Sequence, residues 1–227
     1  MARERRHGFL AGSIVIDDGR SRHDLHDHIW TGPYDNGPVI IFKTDAKFIL
    51  LVEKHNIFTR LVGNHFHKNN GCVLACGGGY PGNSFRRLLS QLHDQLQLPF
   101  YVLADNDPAG YLLFFLIARG AAGRLSTPKK TLAISEASFL GVRTGDSLQF
   151  GLGDSVQIKL RESEIQELCH LKRRSWLQSN AQWQLEIDEL LKRGSKLEME
   201  AFSSRSFSFL SDSYLPERLA AQDALHM

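Results

Sequence analysis

An α/β fold, a parallel sheet carrying a helical C-terminal extension, is the class this sequence predicts. Three observations carry it. Continuous apolar runs of strand length occur at 48–52, 72–76 and 100–104, as suits strands buried on both faces. Amphipathic or apolar helical patterns separate them. Strand and helix alternate three times within about 90 residues, which favours parallel pairing through helical crossovers.

Residues 1–38 read as a polar, irregular N-terminal arm, with Gly and Pro gathered at 31–38 and one short strand at Ser13–Ile16. A metal-binding α/β domain is expected over 39–150. Its first strand, Phe48–Val52, leads into a helix over 57–67. Its second, Cys72–Cys76, runs into Gly77, Gly78 and Gly79. Ser84 can cap a helix over 85–96, where Phe85, Leu88, Leu89, Leu92 and Leu96 recur at helical spacing. The third strand, 100–104, ends in Asp105–Pro108, and an apolar helix follows over 109–119. A fourth strand is expected at 132–135. Residues 151–227 form a C-terminal extension packed on this domain, with helices over 162–174, 181–193 and 196–210.

Composition narrows the class. Among 227 residues, 42% are hydrophobic and 23% charged, which excludes wholesale disorder. A net charge of +2 confines any nucleic-acid surface to a local patch. Three cysteines argue against a disulfide framework and fit a reducing cytosol. The longest apolar run, Tyr111–Ala118, is far shorter than the about 20 residues of a spanning helix, so no membrane partner is expected.

In open parallel sheets, ligands gather beyond the carboxyl ends of the strands. Glu53 directly follows the first strand, and Asp105 and Asp107 follow the third. Three carboxylates in one crevice repel one another, and a hard cation such as Mg2+ relieves that repulsion. Arg86 and Arg87 open the helix after the glycine turn, close enough to grip phosphate oxygens. Further basic clusters lie at Arg3, Arg5 and Arg6 and at His170 and Lys172–Arg174. The glycine turn matches neither a P-loop nor a dinucleotide fingerprint. No Gly-x-Ser-x-Gly elbow supports a serine hydrolase. A zinc site built from His65, His67, Cys72 and Cys76 is disfavoured. The two cysteines stand about 13 Å apart along a strand, at about 3.3 Å per residue, whereas zinc ligands lie within about 2.3 Å of the metal. His23, His26 and His28, with Asp24 and Asp27, read as a solvated polar run.

The ordered set Val52–Lys54 with Phe58, Gly79–Pro81 with Arg86 and Arg87, and Asp105–Gly110 resembles the Toprim domain of the topoisomerase VI A-type chain and the related meiotic double-strand-break proteins. The likeness extends through Leu140–Asp146, Leu160 with Glu164, Gly194–Lys196 with Glu198, and Tyr214–Glu217. It implies a Toprim-type, Rossmann-like sheet. Glu53, Asp105 and Asp107 would hold Mg2+ beside DNA during double-strand cleavage and rejoining, and Lys54, Gly79, Arg86 and Arg87 would lie against DNA phosphate. The partners implied are DNA, an ATP-hydrolysing B-type subunit and a second copy of the chain, in a cytoplasmic, nucleoid-associated setting. Gly78 and Gly82 stand where the family has a Lys and an Asp, which removes local contacts. The family's nucleophile is a tyrosine on an N-terminal winged-helix domain. About 40 residues precede the matched region here, and Tyr34, Tyr80, Tyr101, Tyr111 and Tyr214 do not sit in that context, so a winged-helix tyrosine partner acting in trans is expected. A metal-dependent nuclease using water, and a non-catalytic DNA-binding module, are the rival readings.

Overall fold

The computed structural model describes residues 8–17, 21–31, 40–120, 132–222 and 224–227. Tyr34 and the basic cluster at Arg3, Arg5 and Arg6 lie outside the described residues.

The N-terminal stretch is more regular than its polar sequence suggests. It supplies β1 (Phe9–Gly12), β2 (Ile14–Asp17) and β3 (Arg22–Asp24), where the sequence predicts one short strand. These are followed by β4 (Ile40–Thr44), β5 (Phe48–Val52), α1 (His55–Gly63), α2 (Phe66–Asn70), β6 (Cys72–Cys76) and α3 (Asn83–Leu96). Next come β7 (Phe100–Leu103), α4 (Pro108–Arg119), β8 (Ser138–Gly141) and α5 (Asp146–Gln149). The C-terminal part holds β9 (Gln157–Lys159), α6 (Glu162–Lys172), α7 (Ser175–Gln178), α8 (Ala181–Arg193), β10 (Ser195–Leu197) and α9 (Leu215–Ala221).

The main sheet has the order β1-β6-β5-β7-β8, with β6, β5, β7 and β8 mutually parallel and β1 antiparallel at one edge. Strand β2 leaves that edge and joins β3 and β4 in a second sheet. Gly12 makes the departure possible. Its φ of +131° suits only glycine, and a Cβ there would lie 2.2 Å from the Cys72 carbonyl oxygen.

Period-two alternation divides the core between the two sheet faces. Ile49, Leu51, Val73, Ala75 and Val102 pack with apolar residues of α3, α4, α6 and α8, including Leu89, Phe114, Leu168 and Trp183. Leu50, Val52, Leu74, Cys76 and Leu103 pack with Phe58 and Leu61 of α1 and with Phe202, Tyr214 and Leu215 near the C-terminus. The last third of the chain therefore covers both faces.

Two expected elements are corrected. The fourth sheet strand is Ser138–Gly141, not 132–135: Leu132 and Ile134 are buried, but in a turn whose Ile134 amide bonds the Ile117 carbonyl. Residues 196–210 are not one helix. Strand β10 pairs with β9, and 3-10 turns over Met199–Ser204 follow. The apolar spacing of Leu197, Met199 and Phe202 is satisfied instead by a segment that crosses the carboxyl ends of the main strands, where the Asn106 amide bonds the Leu197 carbonyl.

Candidate metal and nucleic-acid site

Strand β5 comes first in the parallel sheet, β6 is added on one side of it and β7 on the other. The chain thus reverses direction across the sheet between β5 and β7, and such a switch point opens a crevice at the carboxyl ends. Glu53 and Asp105 are the residues that emerge there. The Glu53 amide bonds the Leu103 carbonyl, and the Asp105 amide donates to Glu53 Oε2 at 3.1 Å. Asp107 follows as the N-cap of α4, accepting from the Gly110 amide at 2.9 Å, with Pro108 in the first turn. The helix approaches so closely that a Cβ on Gly110 would lie 2.2 Å from the Asp105 carbonyl oxygen. Gly110→Ala is expected to cost about 1–3 kcal/mol through overpacking, read by urea unfolding, and to displace both aspartates. A neutral result would mean that the loop between them is not held by this contact.

The three predicted acids act on one another electrostatically. Burial, then the charges of Asp105 and Asp107, push the Glu53 carboxyl up to about 7. Burial pushes Asp105 up to about 6, against hydrogen bonds from Lys54 and the Met199 amide. Each is also tied to other groups. Asp105 Oδ1 accepts from the Met199 amide at 2.8 Å, and Oδ2 lies 2.7 Å from Lys54 Nζ. Asp107 Oδ2 lies 3.1 Å from Lys196 Nζ, which also reaches Glu164 at 2.8 Å. Glu164 is held down at about 2: burial opposes its charge, but Arg161 and Lys196 outweigh it.

Sequence reasoning missed the other wall. Glu198 and Glu200 flank Met199 and bring their carboxylates, with that of Asp105, within 4.8 Å of one another. Lys54 Nζ sits among them, 3.1 Å from Glu198 and 2.7 Å from Glu200. Burial works against its charge, yet the bonds to Asp105 and Glu200 raise its pKa overall. The Glu198-x-Glu200 pair is the available signal, and the helical spacing of its neighbours hides it. Among the described residues, the carboxylates of Glu53, Asp105, Asp107, Glu164, Glu198 and Glu200 thus face the cations of Lys54, Arg161 and Lys196.

The residues expected to meet phosphate fare unequally. Arg86 points inward, 4% exposed, donating to the Leu116 and Leu132 carbonyls, so it is a core residue and no phosphate ligand. The Gly79 amide donates to the Glu53 carbonyl at 2.9 Å and is not aimed at a ligand. Lys54 faces the carboxylates. Arg87, on the next position of α3, is exposed. Three of the described tyrosines are engaged within the fold. Tyr80 donates to the Ala109 carbonyl at 3.1 Å, and burial, then Glu53 and Asp107, raise its pKa. Tyr111 and Tyr214 are wholly buried, each donating to a carboxylate. No helix among the described residues is long and apolar enough to cross a membrane.

A family model for the Toprim domain shared by the A-type chain of topoisomerase 6 and Spo11 matches residues 48–219. Among curated proteins, the chain is similar to the A-type chain of type 2 DNA topoisomerase 6 from Saccharolobus shibatae, 32% identical over 95% of this chain and 58% of that protein. The protein of the same description from Hyperthermus butylicus is 34% identical over the same shares. The "Meiotic recombination protein SPO11-1" of Arabidopsis thaliana is 34% identical over 77% of this chain and 48% of its own length. The chain therefore spans about half the length of these relatives.

Proposed function

Because the chain belongs to the family of topoisomerase 6 A-type chains and Spo11 through its Toprim domain, we propose that it is the metal- and DNA-binding half of a type IIB topoisomerase A-like unit. In this reading it acts in double-strand cleavage and rejoining together with DNA, an ATP-hydrolysing B-type subunit and a second copy of itself. The observation that supports the reading is that Glu53, Asp105 and Asp107 follow neighbouring strands at the switch point, with burial and neighbouring carboxylates pushing Glu53 and Asp105 up in pKa, beside the group formed by Asp105, Glu198 and Glu200. An all-oxygen, crowded carboxylate set suits Mg2+, and Glu53, Asp105 and Asp107 would hold it. When bound, Mg2+ neutralises charge on a phosphate oxygen.

The chain's own groups do the rest. Lys54 and Lys196 keep the aspartates oriented by ion pairs. Arg87 offers a guanidinium to the DNA backbone. The attacking tyrosine is supplied in trans by a winged-helix partner; Tyr80, Tyr111 and Tyr214 of this chain are each held by a hydrogen bond within the fold.

A second reading, a non-catalytic DNA-binding module, is favoured by the ammonium of Lys54 lodged among Asp105, Glu198 and Glu200. Supercoiled plasmid, incubated with Mg2+ and the chain alone or with candidate partner subunits, separates the readings. Covalent protein–DNA adducts formed only with a partner support the topoisomerase reading. Nicking by the chain alone would make it a nuclease. Binding without cleavage under every condition would make it a module.

The acids also predict a pH dependence. Glu53 rises from 4.5 to about 7 and Asp105 from 3.8 to about 6. In that window the folded chain holds protons that the unfolded chain has released, so stability from these groups is present at low pH and falls as pH rises through it. Above about pH 7 both are ionised and repel. Added Mg2+ is expected to raise Tm at about pH 8 and to leave it unchanged at about pH 5. Equal shifts at both pH values in thermal unfolding would count against metal binding by these acids.

A further inference from the structure

Asp105 and Asp107 are separated by one residue whose side chain goes the other way. Asn106 is 1% exposed, and its side-chain amide meets Glu186 of α8, 80 positions further along the chain. We infer that Asn106 and Glu186 are a positioning pair: Glu186 anchors Asn106 in the core and so fixes the aim of the two aspartates beside it. The inference rests on the proposed metal site at Glu53, Asp105 and Asp107, and it names what holds two of those acids in place.

The hydrogen bonds close into one network. Asn106 Nδ2 carries two hydrogens. It donates to the Tyr111 hydroxyl oxygen at 2.7 Å and to Thr144 Oγ1 at 3.1 Å. Both hydroxyls turn their own hydrogens to Glu186 Oε1, at 2.8 Å and 2.9 Å. The Thr144 amide donates to the same oxygen at 2.8 Å, and Asn106 Nδ2 itself lies 3.3 Å from it. Glu186 Oε2 lies 3.8 Å from Arg143 Nε. Asn106, Tyr111, Thr144 and Glu186 are all buried. A buried carboxylate is costly unless it is bonded in this way, and a core that needed only cohesion would be served as well by an apolar residue. The donors that Glu186 collects come from Asn106 and from the segments beside it, α4 and the turn after β8.

The backbone transmits this anchor to the acids. The Asn106 amide bonds the Leu197 carbonyl and the Asp107 amide bonds the Asp105 carbonyl, both at 2.9 Å, so the chain folds tightly about Asn106. With that side chain drawn toward Glu186, Asp105 faces Lys54 and the Met199 amide, and Asp107 faces Lys196 and the Gly110 amide. Without the anchor, those contacts alone would set the direction of both carboxylates. Groups behind the metal ligands orient them, and loss of one typically costs about 10–100-fold in metal affinity.

Asn106→Ala tests this, because it removes the anchored side chain and leaves Tyr111, Thr144 and Glu186 bonded to one another. The full chain is titrated with Mn2+, a carboxylate-seeking probe read by electron paramagnetic resonance, and exchange of the Gly110 and Met199 amides is followed by NMR. The variant is expected to bind Mn2+ at least about tenfold more weakly and to lose protection at both amides. Tyr111→Phe, a milder cut in the same network, should fall between the variant and the parent. Leu89→Ala, a buried truncation in α3 outside the network, lowers stability and should keep the parent's Mn2+ affinity. Affinity within about twofold of the parent in Asn106→Ala would overturn the pair. So would an equal loss in Leu89→Ala, which would make the effect one of stability alone. A parent chain that binds no Mn2+ would sink the metal reading instead. The two amides would then decide the anchoring by themselves, released in Asn106→Ala if it holds and unchanged if it does not.

Discussion

If the chain works as proposed, Asp105→Ala is expected to lower DNA cleavage by the complex with its partner subunits about 10²–10³-fold while the chain stays folded. A metal at a phosphoryl centre supplies several kcal/mol of charge stabilisation, and about 3–4 kcal/mol corresponds to that loss in rate. Asp105 is the shared member of both carboxylate groups: it is coupled to Glu53 and Asp107, and it lies within 4.8 Å of Glu198 and Glu200. Removing it also releases Lys54 from one of its three carboxylates. The fold is expected to survive because burial already disfavours the charged form of this side chain. Its loss forfeits one amide bond, from Met199, and one ion pair. Plasmid linearisation and adduct counting, with circular dichroism as the folding control, read the effect. Cleavage within about tenfold of the parent would remove Asp105 from the chemistry.

Arg218→Met is expected to cost about 3–5 kcal/mol of stability, because it leaves a buried carboxylate uncompensated. Asp146 is fully buried at the start of α5 and is ion-paired with Arg218 of α9. The same carboxylate accepts from the Tyr214 hydroxyl at 2.7 Å and the Arg143 amide at 2.8 Å. The pair joins the end of the sheet domain to the last helix, so its loss is felt across the whole C-terminal part. At about 2–4 °C per kcal/mol for a chain of this size, Tm should fall by roughly 10 °C. Asp146→Asn on top of Arg218→Met should recover part of the loss, since the amide carries no charge to strand. A cost below about 1 kcal/mol in urea unfolding would show that water reaches this pair.

How much of this is legible in the sequence depends on distance along the chain. Strands β5, β6 and β7 are readable because a strand buried on both faces needs an unbroken apolar run, and that requirement is local. Strand β8 is displaced by a few residues from its expected place because 132–134 and 138–141 are both short apolar segments, and periodicity does not separate a buried turn from a buried strand. Arg86 looks like a surface cation because it opens a helix beside a glycine turn; the Leu116 and Leu132 carbonyls that receive it come from elsewhere in the chain. Two carboxylate positions are readable because Glu53 and Asp105 each end a strand. Glu198 and Glu200 are not, since they reach Lys54 across 144 and 146 residues.

The amino-acid order alone determined the α/β class, the buried parallel strands and the acids at their carboxyl ends, because each is written in a few consecutive residues. Only the tertiary structure decided which cations neutralise those acids, which arginine faces inward, and that Asn106 meets Glu186 in the core. Those are pairings between distant parts of the chain, and a side chain's charge state and partners depend on what the fold packs beside it, which no local pattern records.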